Sequence, residues 1–264
     1  MTAPANRTLL VVGQLLVTCL LVTGSAVAST SPLQEPAGIF RYQMTAMGTL
    51  GGEAVLTVEE ATKIGAGAAR RIRLEVRTSG VAGRVFRAEG DGTTVVDDAF
   101  NPLRMKWSST TRGKRREAKL ELHSQGVQGR YRHKDNVLHK VDVTTKSWPL
   151  DAISAYLWLP QQPLEVGATY ARTFFDGRRI GTLRATVGVA RSIQVPVGLR
   201  DVVPMKIVAG RSGREKDVTF WIGVEDRVLY RIEVSHGILG MVRADLTGLQ
   251  RPDKALGRGE EARE

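Results

Sequence analysis

The sequence predicts an all-β fold, a curved antiparallel sheet or barrel of many strands with one short helix, about residues 151–159, packed on it as a plug or lid. Three observations predict it. Between residues 39 and 249 apolar side chains recur at every second position, the spacing of half-buried strands. Gly, Asp and Asn gather between these runs as turn signals. Only Pro149 to Pro160 breaks the period: Asp151 suits an N-cap, Leu150 can close as a hydrophobic staple on Ala155, and Pro160 stops the segment after two turns. Ile153, Tyr156, Leu157, Trp158 and Leu159 lie almost all round this helix, so it is expected to be buried, with Leu157 and Trp158 against the sheet.

Ahead of the strands, Arg7 precedes an apolar run from Leu9 to Val22 and then Ala26-Val27-Ala28, the charged start, apolar core and cleavage site of a secretory signal peptide. The run is shorter than the roughly 20 residues a spanning helix needs, so no transmembrane span is expected after cleavage behind Ala28. Cys19, the only cysteine, leaves with the leader, and Thr18 before it with Leu20-Leu21-Val22 after it does not suit lipid attachment. The mature chain then lacks a thiol for disulfides, metal ligation or nucleophilic chemistry. Residues 29–38 read as a Ser/Thr/Pro/Gly linker, 39–249 as a single β domain, and 250–264 as a charged tail too poor in apolar side chains to order itself.

Within the domain, Phe40, Tyr42, Met44 and Ala46 share one strand face, and after a turn at Gly48 to Gly52 the residues Ala54, Leu56 and Val58 return inward. Arg71 to Thr78 is the clearest strand, with Ile72, Leu74 and Val76 opposing Arg71, Arg73, Glu75 and Arg77. In Gly80 to Asp98, Gly90-Asp91-Gly92 reads as a turn between short strands. Asn101-Pro102 opens a strand with Leu103, Met105 and Trp107 on one face, and a turn from Thr111 to Arg116 leads to Ala118, Leu120 and Leu122. Val127 to His133 and Val137 to Thr144 pair about Lys134-Asp135-Asn136. After the helix, Tyr170 to Phe175 and Ile180 to Val189 pair about Asp176-Gly177. Strands follow at Leu199 to Val208, Lys216 to Ile222, Val228 to Val234 and Leu239 to Leu246, the last two turning at His236-Gly237.

A net charge of +11, one less when Arg7 is removed, makes the surface basic. Nucleic acid is not the expected partner, because an exported chain rarely meets it and aromatics at 6% leave little for base stacking. Anionic lipid, lipopolysaccharide or acidic glycan fits the periplasm or cell envelope better. Two groups of residues are candidates for contact. Arg112, Lys114, Arg115 and Arg116 fall at one hairpin turn with no acid before Glu117, and side chains splayed from such a tip would meet an anion. Large aromatics are core residues first, but a barrel of eight or more strands can enclose a ligand, and there Trp107, Tyr156, Trp158, Tyr170 and Trp221 would line the cavity. An integral outer-membrane barrel is opposed by the basic strand faces and the charged tail.

No constellation of catalytic residues stands out. His123, His133, His139 and His236 lack zinc-ligand spacing, Ser154 lacks a nucleophile elbow and reads as a first-turn hydroxyl, and the neighbours in Asp97-Asp98 and Glu59-Glu60 point to opposite faces of a strand. The expectation is no cofactor, no metal site, and a binding or carrier module for an anionic or amphipathic lipid or glycan. The alternatives are an envelope scaffold or a hydrolase, and the hydrolase would need a carboxylate or histidine pair in a cleft.

Phe40-x-Tyr42 with Gly51-Gly52, Asn101-Pro102-Leu103, Asp151-x-x-Ser154-x-Tyr156 running to Leu164-x-x-Gly167, Asp176-Gly177, and Trp221 with Asp226-Arg227 and Gly240 follow one another along most of the mature chain. This order resembles an exported bacterial family, domain of unknown function 3108. The chain departs from that pattern at Trp158-Leu159-Pro160, where such proteins often carry an arginine-containing segment, and at Tyr230, where proline is common. The resemblance implies an envelope protein with a curved antiparallel sheet or barrel, similar to half-barrel lipoprotein carriers, and brings no catalytic residues with it.

Overall fold

The computed structural model describes residues 37–46, 48–64, 67–79, 88–111, 114–132, 137–210, 216–236 and 240–252. The predicted signal peptide, most of the predicted linker, Arg112, residues 133–136 and the predicted tail from residue 253 fall outside them. In chain order the elements are β1 (Gly38–Ala46), β2 (Thr49–Val58), β3 (Thr62–Ile64), β4 (Gly67–Thr78), β5 (Ala88–Asp97), β6 (Pro102–Thr111), β7 (Lys114–His123), β8 (Gly126–Arg132) and β9 (Leu138–Thr144). Helix α1 (Ala152–Trp158) runs into a 3-10 turn at Leu159–Gln161. Then come β10 (Thr169–Phe175), β11 (Ile180–Val187), β12 (Arg191–Val195), β13 (Gly198–Gly210), β14 (Lys216–Gly223), β15 (Leu229–His236) and β16 (Gly240–Gln250).

These strands form one antiparallel sheet ordered β10-β11-β13-β14-β15-β16-β1-β2-β4-β5-β6-β7-β8-β9, with β12 on β13 and β3 on β4. The end strands β9 and β10 do not pair with each other, so the sheet curls without closing. The segment between β9 and α1 lies along β10 instead: Leu150 bridges Phe174 in parallel, its N–H donating to the Thr173 carbonyl at 2.9 Å and its carbonyl accepting from Phe175 N–H at 2.8 Å. The plug predicted from the sequence is thus carried in by the strap that covers the open seam.

Burial follows the two-residue period. Phe40, Tyr42, Leu56, Ile72, Leu74 and Val76 from one arm of the sheet meet Met205, Ile207, Phe220, Ile232 and Val234 from the other, with Ile153, Tyr156, Leu157 and Leu159 of the plug between them. A second, smaller core under β6 to β9 holds Met105, Leu120, Leu122, Val127, Tyr131 and Val141, and Phe175 at the end of β10 closes it. α1 forms where the cap was expected. Asp151 accepts from Ser154 N–H at 2.6 Å while Ser154 Oγ accepts from Asp151 N–H at 2.9 Å, a reciprocal capping box, and the Thr94 hydroxyl adds a second bond to the carboxylate at 2.7 Å. Burial pushes the Asp151 carboxyl above the usual carboxylate range, and the bonds from Ser154 and Thr94 offset part of that rise.

Four local expectations change. Gly90-Asp91-Gly92 is the middle of β5, not a turn, because both glycines make room for the Trp107 ring on the neighbouring strand. A Cβ on Gly92 would sit 2.3 Å from that ring and 3.0 Å from Ile153 Cδ1 of the plug. Thr111 of β6 pairs with Lys114 of β7, so Lys114 to Arg116 belong to the strand. Trp158 is half-buried, since it ends α1 on the side turned from the core, whereas Leu157 is buried as predicted. The five-residue strand β12, which starts three residues after Gly188, is the fourth; it was not foreseen because one short alternating run beside a glycine carries little signal.

Candidate functional site

The five aromatic residues proposed as a cavity lining do not share a cavity. Tyr156 is in the core, its ring edge-on to Tyr42 at 6.2 Å and to Phe220 at 5.9 Å, and its hydroxyl donates to the Tyr42 hydroxyl, which donates to the Leu229 carbonyl at 2.8 Å. Burial raises the pKa of both tyrosines. Trp221 is next to Phe220 and therefore faces the opposite side of the sheet. There its indole N–H donates to Glu233 at 2.9 Å and the Arg191 guanidinium of β12 lies 4.2 Å over its ring. Trp158 carries Arg172 at 5.3 Å, Tyr170 donates to the Pro163 carbonyl at 2.8 Å, and Trp107 lies along β5. Trp107 alone of the set lines the larger depression across β5 to β8, and a cleft at the end of α1 touches the set through Tyr156, together with Phe40, Leu157, Leu229 and Arg227, but the interior of that cleft is only about 40 Å³. That holds little more than a water, far below the ~300 Å³ at which small-molecule pockets begin.

The turn beside that cleft is tied to the plug. Arg227 adopts a left-handed φ of 57° and its Nη1 donates to the Gln162 carbonyl at 3.0 Å, just past the 3-10 turn. Asp226 accepts from the Tyr230 hydroxyl at 2.5 Å, and burial together with that carboxylate pushes Tyr230 up to about 12. The buried carboxylate, Asp151, is occupied in capping. His123 accepts from Gln125 N–H at 3.3 Å and His139 packs near Tyr131 at 6.3 Å, while His133 and the side chain of His236 lie outside the described residues.

The predicted cationic tip divides. Lys114 and Arg115 are exposed, and Arg115 pairs with Glu117 at 2.6 Å. Arg116 points to the inner side and is buried, not splayed, because strand pairing already holds from Lys114 and alternation turns Arg116 inward opposite Ser109. Burial lowers its pKa, with Arg178 nearby acting in the same direction.

A larger concavity lies on the outer face, the one turned away from α1. Across β5 to β8 a depression of about 430 Å³ is lined by the cations Lys106, Lys119, Arg130 and Arg132, the acids Asp91 and Glu117, and Trp107, Ser108, Ala118 and Leu138. Its acids are already engaged: Glu117 binds Arg115 at 2.6 Å and Arg132 at 3.5 Å, and Asp91 binds Arg73 at 3.2 Å. Among the described residues, Lys106, Lys119 and Arg130 make no ion pair. An exposed trough with net positive charge and mobile N–H donors can hold carboxylate, phosphate or sulfate. Sequence reasoning put Lys106 and Lys119 on polar strand faces, but their coming together depends on register across strands, which no single run displays.

The fold and this outer face define a class: a barrel-like protein made from one curled antiparallel sheet around a helical plug. Within it, the chain belongs to the family described as protein of unknown function (DUF3108), which matches residues 41–247. Among solved structures, a β-barrel-like protein of domain of unknown function DUF1849 from Brucella abortus is similar in fold, with a TM-score of 0.54 at 14% identity, covering 82% of this chain and 98% of that one. A candidate exported protein with YmcC-like fold from Bacteroides fragilis gives a TM-score of 0.32 at 10% identity, covering 89% of this chain and 100% of that one. A candidate lipoprotein from Parabacteroides distasonis gives 0.35 at 10% identity, covering 83% and 97%. No curated protein matches the chain. The residues that carried the family resemblance turn out to fix the plug: Asp151 and Ser154 cap it, Tyr42 and Tyr156 bond across its inner side, and Arg227 holds its end.

Proposed function

We propose that this is an exported cell-envelope protein that binds an anionic envelope molecule, a lipid headgroup or an acidic glycan, on the outer face of β5 to β8, and that it is not a catalyst. The observation that carries the reading is the depression of about 430 Å³ whose cations Lys106, Lys119 and Arg130 make no ion pair among the described residues. Its size is within the range of ligand sites. The leader read from residues 1–28 supports export to the periplasm or envelope, with Ser29 as the mature N-terminus, residues 39–249 as one domain and the last residues as a charged tail. Among the described residues no helix is long and apolar enough to cross a membrane. Lys114 and Arg115, beside the depression's margin, add to the positive field.

The mature protein titrated with polygalacturonate and with phosphatidylglycerol vesicles should bind at least one, with affinity that falls steeply as salt rises. Absence of salt-dependent binding to either would overturn the reading. Edman sequencing of the exported protein should begin at Ser29, and an intact Met1 would overturn the export step.

A further inference from the structure

We infer that the ligand of this face is a linear polyanion, an acidic polysaccharide laid across the strands; this rests on the anion-binding reading above. Lys106 on β6 is directly opposite Lys119 on β7, Lys119 is opposite Arg130 on β8, and Arg130 is opposite Lys140 on β9. Neighbouring strands lie about 4.8 Å apart, so these four positions form a straight row roughly 14 Å long, perpendicular to the strands.

Like charges directly opposite one another destabilise a sheet. The same strands avoid this one step away, where Arg104 is opposite Glu121. The row breaks a rule that its neighbour keeps, and such breaks mark functional positions. All four side chains are exposed, and Lys140 is paired only along its own strand, to Asp142 at 2.6 Å. At the other end the line stops being cationic, since Thr93 follows on β5 and Arg73 on β4 is held by Glu75 and Asp91, both at 3.2 Å.

The shape of this charge selects among anions. A bilayer is a plane, and pressed against this face it would also cover the flanking positions, where acids balance the cations: Glu121 is opposite Arg104, Glu117 pairs with Arg115 and Arg132, and Asp91 with Arg73. A single chain laid along the row meets Lys106, Lys119, Arg130 and Lys140 in succession, while Asp91 and Glu117 beside it are already paired with arginines. The strand spacing is close to the rise of one sugar in an extended polysaccharide, so successive carboxylates or sulfates can reach successive strands.

Calorimetric titration of the mature protein with oligogalacturonates, from the monosaccharide to the hexamer, tests this beside co-sedimentation with phosphatidylglycerol vesicles. Affinity should climb with each sugar to about the tetramer, the length of the row, and then level. The variant K106A/K119A/R130A should bind the hexamer at least roughly tenfold more weakly, K119Q should lose part of that, and R41A/K63A/K206A, which removes equal charge elsewhere, should bind as the parent does. Vesicles bound as tightly as the hexamer, with both lost in the row variant, would overturn the linear ligand and keep the anion-binding face. A monosaccharide bound as tightly as the hexamer would do the same. Equal binding by row variant, K119Q and parent, or binding of neither probe, would overturn both.

Discussion

The inner and outer faces of this sheet use the same alternation for opposite ends. On the inner face the buried polar groups around the plug are matched: Tyr156 and Tyr42 bond to each other and to the Leu229 carbonyl, and Asp151 accepts from Thr94 and Ser154. On the outer face, cations stand opposite cations across β6, β7 and β8 with no acid between them. One face is built to be stable, and the other keeps an arrangement that lowers stability. The lesson is that aromatic residues near a candidate site are weak pointers to a ligand when the sheet can fold a helix onto them, whereas unbalanced charge in register is a stronger one.

The largest effect should come from the inner face. Tyr156→Ala removes a buried ring from the junction of both arms and should cost about 3–5 kcal/mol in urea unfolding, whereas Trp158→Ala, on the half-buried side of the same helix, should cost about 1–2 kcal/mol. Equal losses would mean that α1 is gripped on both sides. A smaller cost, about 1–3 kcal/mol, is expected for Gly92→Ala, since its Cβ would lie 2.3 Å from the Trp107 ring. The second change Trp107→Leu should restore part of that loss; if it adds a further loss instead, the clash is not the cause.

These two sites also show how far the sequence could be read. The plug, its Asp151 cap and its burial were legible because capping and apolar crowding are local. Strands such as β4, β6 and β8 were legible from alternation within one run. Gly90-Asp91-Gly92 was misread because glycines that make a turn and glycines that admit a ring from the next strand look alike in one dimension. The cation row was invisible for the same reason: Lys106, Lys119, Arg130 and Lys140 are brought into line by register, and nothing in any one strand states its register with the next. The burial of Arg116 depended on strand pairing that already holds between Thr111 and Lys114.

A subtler effect tests whether matching on the inner face is complete. Burial raises the folded pKa of Asp151 above the ~3.9 of an unfolded aspartate. The folded state therefore holds the proton more tightly, so this group's contribution to stability is full below about pH 4 and is lost as pH rises through the raised folded value. Asp151→Asn keeps a capping side chain but does not titrate. The urea midpoint of the parent minus that of the variant should accordingly fall as pH rises from about 4 and then level. A difference that grew with pH would show that the bonds from Ser154 and Thr94 to the carboxylate outweigh its burial.

The smallest effect has the most to say about the outer face. Lys119 stands between Lys106 and Arg130, each directly opposite it on a neighbouring strand. Lys119→Glu turns two repulsive cross-strand pairs into two attractive ones, each worth roughly 0.2–1 kcal/mol at low salt. The variant should therefore be slightly more stable than the parent, and the gain should shrink as salt shortens the range of the interaction to about 8 Å near physiological strength. The inner face is untouched, so the urea dependence should keep its slope and only the midpoint should move. The same substitution places a negative charge in the middle of the row, and binding of polygalacturonate should fall even though the protein has become more stable. Stability and binding moving in opposite directions from one side chain is the signature of a residue kept for its ligand. If the midpoint falls instead, the row is not under repulsion, and the contrast between the two faces fails at its centre.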